Sequence, residues 1–183
     1  MSRLIFIGIF LFLKIAANSQ IEKGYWMIGG AASLRSSHYD LGNGSSSRQS
    51  IVQLSGDVGH FFFDKFAAGL KPGYNRTATN SPHNVVNTFN IGPFVRYYLL
   101  SKEKYVNIFS ELCYQYGITK NSQTSASTTG NSFTGAIGCA AFFNSSVALE
   151  FTLAYSAFSY NNTGNVKSVI AGIGFHFHLE KED

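Results

Sequence analysis

The feature that most limits the fold of this chain is a period-two alternation that recurs after residue 20. Runs rich in Val, Ile, Phe, Tyr and Gly place a large apolar side chain at every second position and a small or polar one between. That period is typical of β-strands whose two faces meet different surroundings. Helical periodicity is nearly absent, so the sequence predicts an all-β protein. We predict eight strands, at residues 24–35, 49–61, 65–77, 87–99, 105–117, 132–143, 147–159 and 166–179.

The first residues have the pattern of a secretory signal. Arg3 supplies positive charge, residues 4–13 form an apolar run, and residues 17–19 are small enough for cleavage before Gln20. A retained membrane anchor is the alternative, but the run is short for a span and Lys14 interrupts it. The expected organisation is a signal peptide and one mature barrel domain, residues 1–19 and 20–183.

The connections between the predicted strands alternate in length. The short ones lie at residues 64–65, 101–104 and 144–146. The long ones are rich in Ser, Thr, Asn and Gly and lie at residues 36–48, 78–86, 118–131 and 160–165. Short periplasmic turns and long outer loops are typical of transmembrane barrels.

The two faces of the strands indicate which side meets lipid. In the seventh run, Leu149, Phe151 and Leu153 share one face, while Glu150 and Thr152 share the other. A soluble barrel carries its charges outside, whereas a membrane barrel has an apolar outside and a polar lumen. Only 13% of the residues are charged, against about 25% in soluble domains. The sequence therefore predicts an eight-stranded antiparallel up-and-down transmembrane β-barrel, with a β-sandwich as the alternative.

Aromatic residues are abundant, with 17 Phe and 10 Tyr. Amphipathic rings favour the headgroup level, where they form girdles at both interfaces of a membrane barrel. Many of the rings flank the short turns, and we expect these to form such a girdle: Phe61, Phe62, Phe63, Phe66, Tyr97, Tyr98, Tyr105, Phe142 and Phe143.

Three segments carry a family resemblance: residues 62–70 (FFDKFAAGL), 91–98 (IGPFVRYY) and 144–150 (NSSVALE). They look like the turn-plus-strand units of the small outer-membrane β-barrel family of Gram-negative bacteria, which includes OmpX-like proteins and the barrel domain of OmpA. The resemblance covers roughly residues 24–179, and the Ala-Asn-Ser-Gln end of the signal is similar to signals of Bacteroidota. It implies the cell outer membrane as location, outer-membrane lipid as surroundings and the barrel-assembly machinery as a partner.

The chain departs from that family in two ways. Members commonly end on an aromatic residue that the assembly machinery recognises, whereas here Phe177 is followed by His178, Leu179 and an acidic tail. The periplasmic peptidoglycan-binding domain of OmpA is also missing, so we expect no tether to the cell wall.

Charged residues are few within the strands, and they fall on the face with small side chains. A lumen this narrow is filled by side chains, so charges there need partners that offset their desolvation. We expect an internal ion-pair network that plugs the barrel and specifies its register. A gated proton or ion path is the alternative. The network consists of Asp57, Lys71, Arg96, Glu111, Glu150 and His176, with His178 on the same face as His176.

Signals for catalysis or metal binding are weak. His176 and His178 are spaced as two ligands on one strand, but two ligands without a third carboxylate or Cys make a weak metal site, so lumen-lining polarity is the expected role. Ser168 shares their face but lies eight residues from His176, too far for a nucleophile and its base. We predict no enzyme activity, no metal and no cofactor. Cys113 and Cys139 fall on opposite faces, which favours free thiols over a bridge.

The predicted function is a non-enzymatic surface scaffold that displays polar extracellular loops to a ligand or partner. The alternatives are a porin-like narrow pore or small-solute transporter and, third, a lipid-modifying outer-membrane enzyme. The formal charge of +4 falls to +2 when Arg3 and Lys14 leave with the signal, so no nucleic-acid partner is expected. The candidate loop contacts are His38, Tyr39, Asp40, Arg48, His83 and Lys120.

Overall fold

The computed structural model of the chain describes residues 21–40, 46–80, 83–124, 127–160 and 164–180. They form eight antiparallel strands that follow one another around a closed barrel, so the predicted fold is confirmed. No helix in these ranges is long and apolar enough to cross a bilayer. The predicted signal and its cleavage point lie outside the described residues. The strands are β1 (Trp26–Asp40), β2 (Ser46–Phe63), β3 (Phe66–Asn80), β4 (His83–Tyr98), β5 (Val106–Asn121), β6 (Ser127–Phe142), β7 (Val147–Tyr160) and β8 (Gly164–Leu179).

The prediction of long outer loops is wrong. Most of the polar residues expected in the outer loops belong to strands instead. The connections between strands at the outer end of the barrel are only residues 41–45, 81–82, 122–126 and 161–163. The Ser, Thr and Asn residues there lack the apolar alternation that marks a strand in sequence. They nevertheless pair along their backbones with the neighbouring strand, as His38 does with Arg48 and Thr79 with Asn84.

The predicted alternation between the faces is confirmed. Phe151 and Leu153 are about half exposed on the outside of β7, whereas Glu150, which precedes Phe151, is 1% exposed. On β4, Val95 and Tyr97 point outward and Arg96 points into the lumen. The outside of the barrel is thus apolar where its inside is charged.

The barrel closes where β1 meets β8, and this seam is short. The two strands pair from Trp26 to Gly30 against Phe175 to Leu179, all toward the end that carries the tight turn at residues 64–65. By contrast, β1 pairs with β2 along its whole length, from Trp26 to Asp40. The closure of the barrel therefore depends on a few residues at one end.

The tight turn between β2 and β3 carries an unusual backbone. Lys65 has a backbone φ of 67°, a value that residues other than Gly seldom adopt. Just before the turn, the β2–β3 register shifts between Phe61 and Phe63, as in a β-bulge. Phe61 keeps the lumen-facing parity of Asp57, whereas after the shift Phe62 and Phe63 are both exposed.

Candidate functional site

A cluster of charged side chains fills the lumen in the half of the barrel nearer the tight turns, with Arg96 of β4 at its centre. The guanidinium donates from Nη1 to both carboxylate oxygens of Glu150, at 2.8 and 2.9 Å. It donates from Nε and Nη2 to Oε2 of Glu111, at 2.9 and 2.7 Å. Glu111 is its direct neighbour on β5, whereas Glu150 comes from β7 across the lumen. Arg96 therefore connects strands that do not pair with each other.

A second part of the cluster bridges the seam between β1 and β8. His176 Nε2 lies 2.8 and 2.9 Å from the two carboxylate oxygens of Asp57 on β2. Gly29 of β1 sits between them in the register. A Cβ on Gly29 would come within 2.0 Å of the His176 ring, so only glycine leaves room for this contact.

The charges of the cluster balance if His176 is protonated. Its Nδ1 lies 3.0 Å from Oε2 of Glu150, an ion-pair distance without the alignment of a hydrogen bond. Both ring nitrogens thus face carboxylates, which suits an imidazolium, since each of its nitrogens carries a proton. Lys71 completes the set: its Nζ bonds to Oε1 of Glu111 and lies 3.6 Å from Oδ2 of Asp57. Three cations then face three carboxylates.

The six residues predicted for the lumen network therefore lie together in one cluster, and five of them are buried. Lys71 is the exception, with 20% of its side chain exposed. Next to it, Gln115 donates to the Lys71 carbonyl at 2.8 Å and accepts from Asn90 at 3.0 Å. Amides thus continue the polar lining toward the outer ends of the strands.

Beneath the charges, toward the tight turns, lies a layer of packed rings. Phe109 lies under the Arg96 guanidinium at 4.2 Å, and Tyr98 accepts a hydrogen bond from Arg96 at 3.2 Å. His178 packs against the rings of Phe61, Tyr98 and Phe142, with centroids 5.3 to 6.2 Å apart. This ring layer and the charge cluster lie in series along the barrel.

The ring layer corrects one sequence expectation. Phe61, Tyr98 and Phe142 were assigned to the outer girdle but are buried inside. Phe62, Phe63, Tyr97, Tyr105 and Phe143 are exposed as expected. The expectation rested on nearness to the turns, whereas strand alternation already gives Phe61 the parity of the lumen residue Asp57 and gives Tyr98 that of Arg96. Only Phe63, which lies beyond the register shift, departs from the alternation.

The segment before β1 lies across the same mouth of the barrel. Ile21 is fully buried against the ring layer, and its carbonyl accepts from Lys65 N at 2.8 Å. Gly24 N donates to the Phe61 carbonyl at 2.9 Å. Glu22 bonds to Lys102 at 2.5 Å, and this hydrogen bond raises the pKa of the Lys102 ammonium. Sequence reasoning missed this segment because it carries no alternation.

The candidate loop contacts do not lie on loops. His38 on β1 and Arg48 on β2 are exposed cross-strand partners, His83 begins β4, and Lys120 lies near the end of β5. Tyr39 and Asp40 belong to β1, but their side chains lie outside the described residues. The structure brings His38 and Arg48 together and leaves His83 and Lys120 on other strands.

The remaining candidates stay apart. Ser168 is exposed on the outer half of β8, away from His176. Cys113 faces the lumen, while Cys139 faces outward beside Ile108 and Phe151; both are free thiols. Among the described residues, no group of three or more His, Cys, Asp or Glu side chains has the arrangement of a metal site.

Comparison with known proteins bears on the fold. No family model matches the chain, and no curated protein matches it in sequence. Among solved structures, the chain is similar to Neisserial surface protein A, with 14% identity, a TM-score of 0.58, and 85% of this chain and 97% of that one covered. It is also similar to the outer membrane protein OprG of Pseudomonas aeruginosa, with 15% identity and a TM-score of 0.57; the match covers 89% of this chain and 100% of OprG. The N-terminal β-barrel domain of OprF from the same species is 12% identical, with a TM-score of 0.52; the match covers 86% of this chain and 98% of that domain.

None of these three proteins comes from Bacteroidota, so they lend no support to the placement in that group. At such identities the likeness concerns the fold alone. The chain has the closed eight-stranded antiparallel fold found in these outer-membrane barrels.

Proposed function

We propose that this chain is a non-enzymatic barrel of a bacterial outer membrane, with an occluded lumen, that serves as a rigid scaffold for contacts at the cell surface. The observation that carries the proposal is the pair of layers in the lumen. The Arg96–Glu150 bridge crosses the interior, and the rings around His178 fill it beneath that bridge. A lumen of eight strands is wide enough only to be filled by such side chains.

The apolar exterior supports placement in a membrane. Large apolar side chains on the outside of every strand are exposed, among them Ile28, Leu70, Val95, Leu112 and Ile173. So large a contiguous apolar surface would cause aggregation in water, whereas acyl chains accommodate it. Outer-membrane lipid and the barrel-assembly machinery are accordingly the proposed partners.

The outer strand ends support a role in surface contacts. Exposed polar side chains there include His38, Arg48, His83 and Lys120. These polar strand ends suit the headgroup region and the aqueous exterior beyond it. Their backbones are held by cross-strand pairing, which presents the side chains rigidly to a ligand or partner.

The carboxylates around His176 support a non-enzymatic role. Its two ring nitrogens face Asp57 and Glu150, so neither is available as a general base. Ser168, the hydroxyl considered as nucleophile, lies on an exposed part of the same strand. The catalytic requirement of a nucleophile within hydrogen-bond reach of its base is not met by this pair.

Fractionation tests the membrane placement. The chain expressed with its own N-terminus in a Gram-negative host should sediment with the outer membrane. It should also change electrophoretic mobility when boiled, since a folded barrel resists detergent. Recovery in the soluble fraction without detergent would contradict the proposal.

Planar-bilayer recording tests the occlusion. We expect no sustained current steps from the purified chain. A variant with Tyr98→Ala and Phe109→Ala removes two rings from the layer, and current through this variant alone would locate the block there. Discrete, sustained steps from the parent chain would favour the pore alternative instead.

A further inference from the structure

The charges of the outer half of the barrel are strongly one-sided. Residues 31–56, 72–95, 112–135 and 151–174 contain one acidic residue, Asp40, against five basic ones. The basic residues are Arg35, Arg48, Arg76, Lys120 and Lys167. The other end carries both signs, with Glu22, Lys23, Asp64, Lys102 and Glu103 near the turns. A cationic outer end implies an anionic partner at that level.

Two of these cations lie in one row across three strands. Arg76 on β3 pairs in register with Asn87 on β4, and Asn87 pairs with Lys120 on β5. All three share the outward face, and Arg76 and Lys120 are exposed. Because neighbouring strands lie about 4.8 Å apart, the backbones of the two cationic residues lie about 10 Å apart, on either side of Asn87. We call these three residues the cationic row.

The cationic row consists of hydrogen-bond donors. Tyr74 donates its hydroxyl proton to Oδ1 of Asn87 at 2.9 Å. The part of the Asn87 side chain left for a ligand is therefore the amide NH₂. With the guanidinium and the ammonium on either side, the row presents only donors. Within the described residues no carboxylate pairs with Arg76 or Lys120.

The position of the row along the barrel indicates what would bind. The next row toward the middle of the strands consists of Tyr74, Phe89 and Ile118, which pair in the same order and are exposed. A ring-bearing apolar row directly followed by cations is the pattern expected where acyl chains end and headgroups begin. Phosphate suits the row, because guanidinium and ammonium groups both bind its oxygens.

We propose that the cationic row of Arg76, Asn87 and Lys120 binds a phosphate-bearing lipid headgroup in the outer leaflet, with Tyr74 orienting Asn87. This inference rests on the proposed membrane placement and goes beyond it. It predicts that this face of the barrel prefers anionic lipid, because strand pairing holds the three side chains of the cationic row next to one another.

Native mass spectrometry of the barrel, released from bilayers of phosphatidylglycerol and phosphatidylcholine in equal amounts, tests the proposal. We expect the parent chain to retain phosphatidylglycerol in preference to phosphatidylcholine. The double variant Arg76→Gln/Lys120→Gln should lose that preference. The control Lys23→Gln/Lys104→Gln removes the same charge at the opposite end and should keep it. Tyr74→Phe changes no charge and should weaken the preference by freeing Asn87.

Other outcomes overturn the proposal. Equal loss in both double variants would mean that total charge alone attracts the lipid. An unchanged preference in Arg76→Gln/Lys120→Gln would place the lipid elsewhere. Displacement of phosphatidylglycerol by inorganic phosphate, but not by chloride at equal ionic strength, would assign the row to a soluble anion. Failure to insert into either lipid would count against the membrane placement itself, which separates the two failures.

Discussion

Arg96 and Glu150 meet across the lumen although they are 54 residues apart and lie on strands that do not pair. The guanidinium Nη1 donates to both oxygens of the carboxylate, at 2.8 and 2.9 Å. Hydrogen bonds between neighbouring strands fix the sheet, but they do not fix opposite walls relative to each other. This bridge does, and it is surrounded by buried groups that cannot be left without a partner.

Replacing Arg96 with Met should destabilise the barrel, because Glu111 and Glu150 would remain buried without their shared cation. Breaking a buried pair in this way costs about 3–5 kcal/mol. Urea titration of the barrel in lipid vesicles, followed by the gel shift between folded and unfolded forms, measures the loss. Lys104→Met, in an exposed turn, should leave the midpoint almost unchanged. Equal midpoints for Arg96→Met and the parent chain would refute the structural role of the cluster.

Glu150→Gln and Glu22→Gln make the same chemical change in a buried and an exposed ion pair. Glu150 is almost fully buried between Arg96 and His176, so its loss should cost several kcal/mol, of the order of 3–5. Glu22 pairs with Lys102 with about 40% of each side chain exposed, and exposed pairs of this kind contribute little to stability because water and salt screen them. The same titration compares them. Similar losses in both variants would contradict the assignment.

Gly29→Ala should separate His176 from Asp57, since the new Cβ would overlap the imidazole ring. Overpacking of this kind costs about 1–3 kcal/mol. Gly135→Ala is the matched control, because a Cβ there meets nothing closer than Leu112 at 3.7 Å. Unfolding midpoints that fall for Gly29→Ala and not for Gly135→Ala would agree with the geometry. The reverse order would show that His176 does not reach Asp57 through this gap.

Lys65→Val should destabilise the tight turn, because a β-branched residue fits poorly at φ of 67°. The left-handed conformation costs about 1–2 kcal/mol for residues with a Cβ, so Lys65→Gly should be tolerated without loss. Comparing the refolding yield and the urea midpoint of the two variants separates the backbone effect from the loss of the Lys65 charge, which both share. A smaller loss of stability for Lys65→Val than for Lys65→Gly would contradict this account of the turn.

Hydrogen exchange of the backbone amides should detect how short the pairing between β1 and β8 is. Beyond Gly30, β1 pairs only with β2 among the described residues. Amides that point from residues 31–40 toward β8 should therefore exchange faster than those pointing toward β2, in an alternating pattern. Strand β5, paired on both sides along most of its length, should show no such alternation. Uniform protection along β1 would mean that the seam closes further in solution.

The sequence by itself determined the strands and their sidedness. A period of two, with Leu149 and Phe151 opposed to Glu150, is a local property that needs only the pleat of a strand. The same local logic accounts for Arg96 lying opposite Glu111, because both flank one tight turn at similar distances. It failed at the outer ends, since polar strands such as the end of β1 differ from loops only in having a partner.

Only the tertiary structure decided what meets across the lumen. The Arg96–Glu150 bridge and the His176–Asp57 contact join strands that are far apart in sequence, and their existence depends on where the barrel closes. The ring contacts of His178 with Phe61 and Tyr98 likewise join strands that do not pair, β8 with β2 and β8 with β4. Alternation fixes which face a side chain occupies, whereas closure and register fix which side chains share a layer.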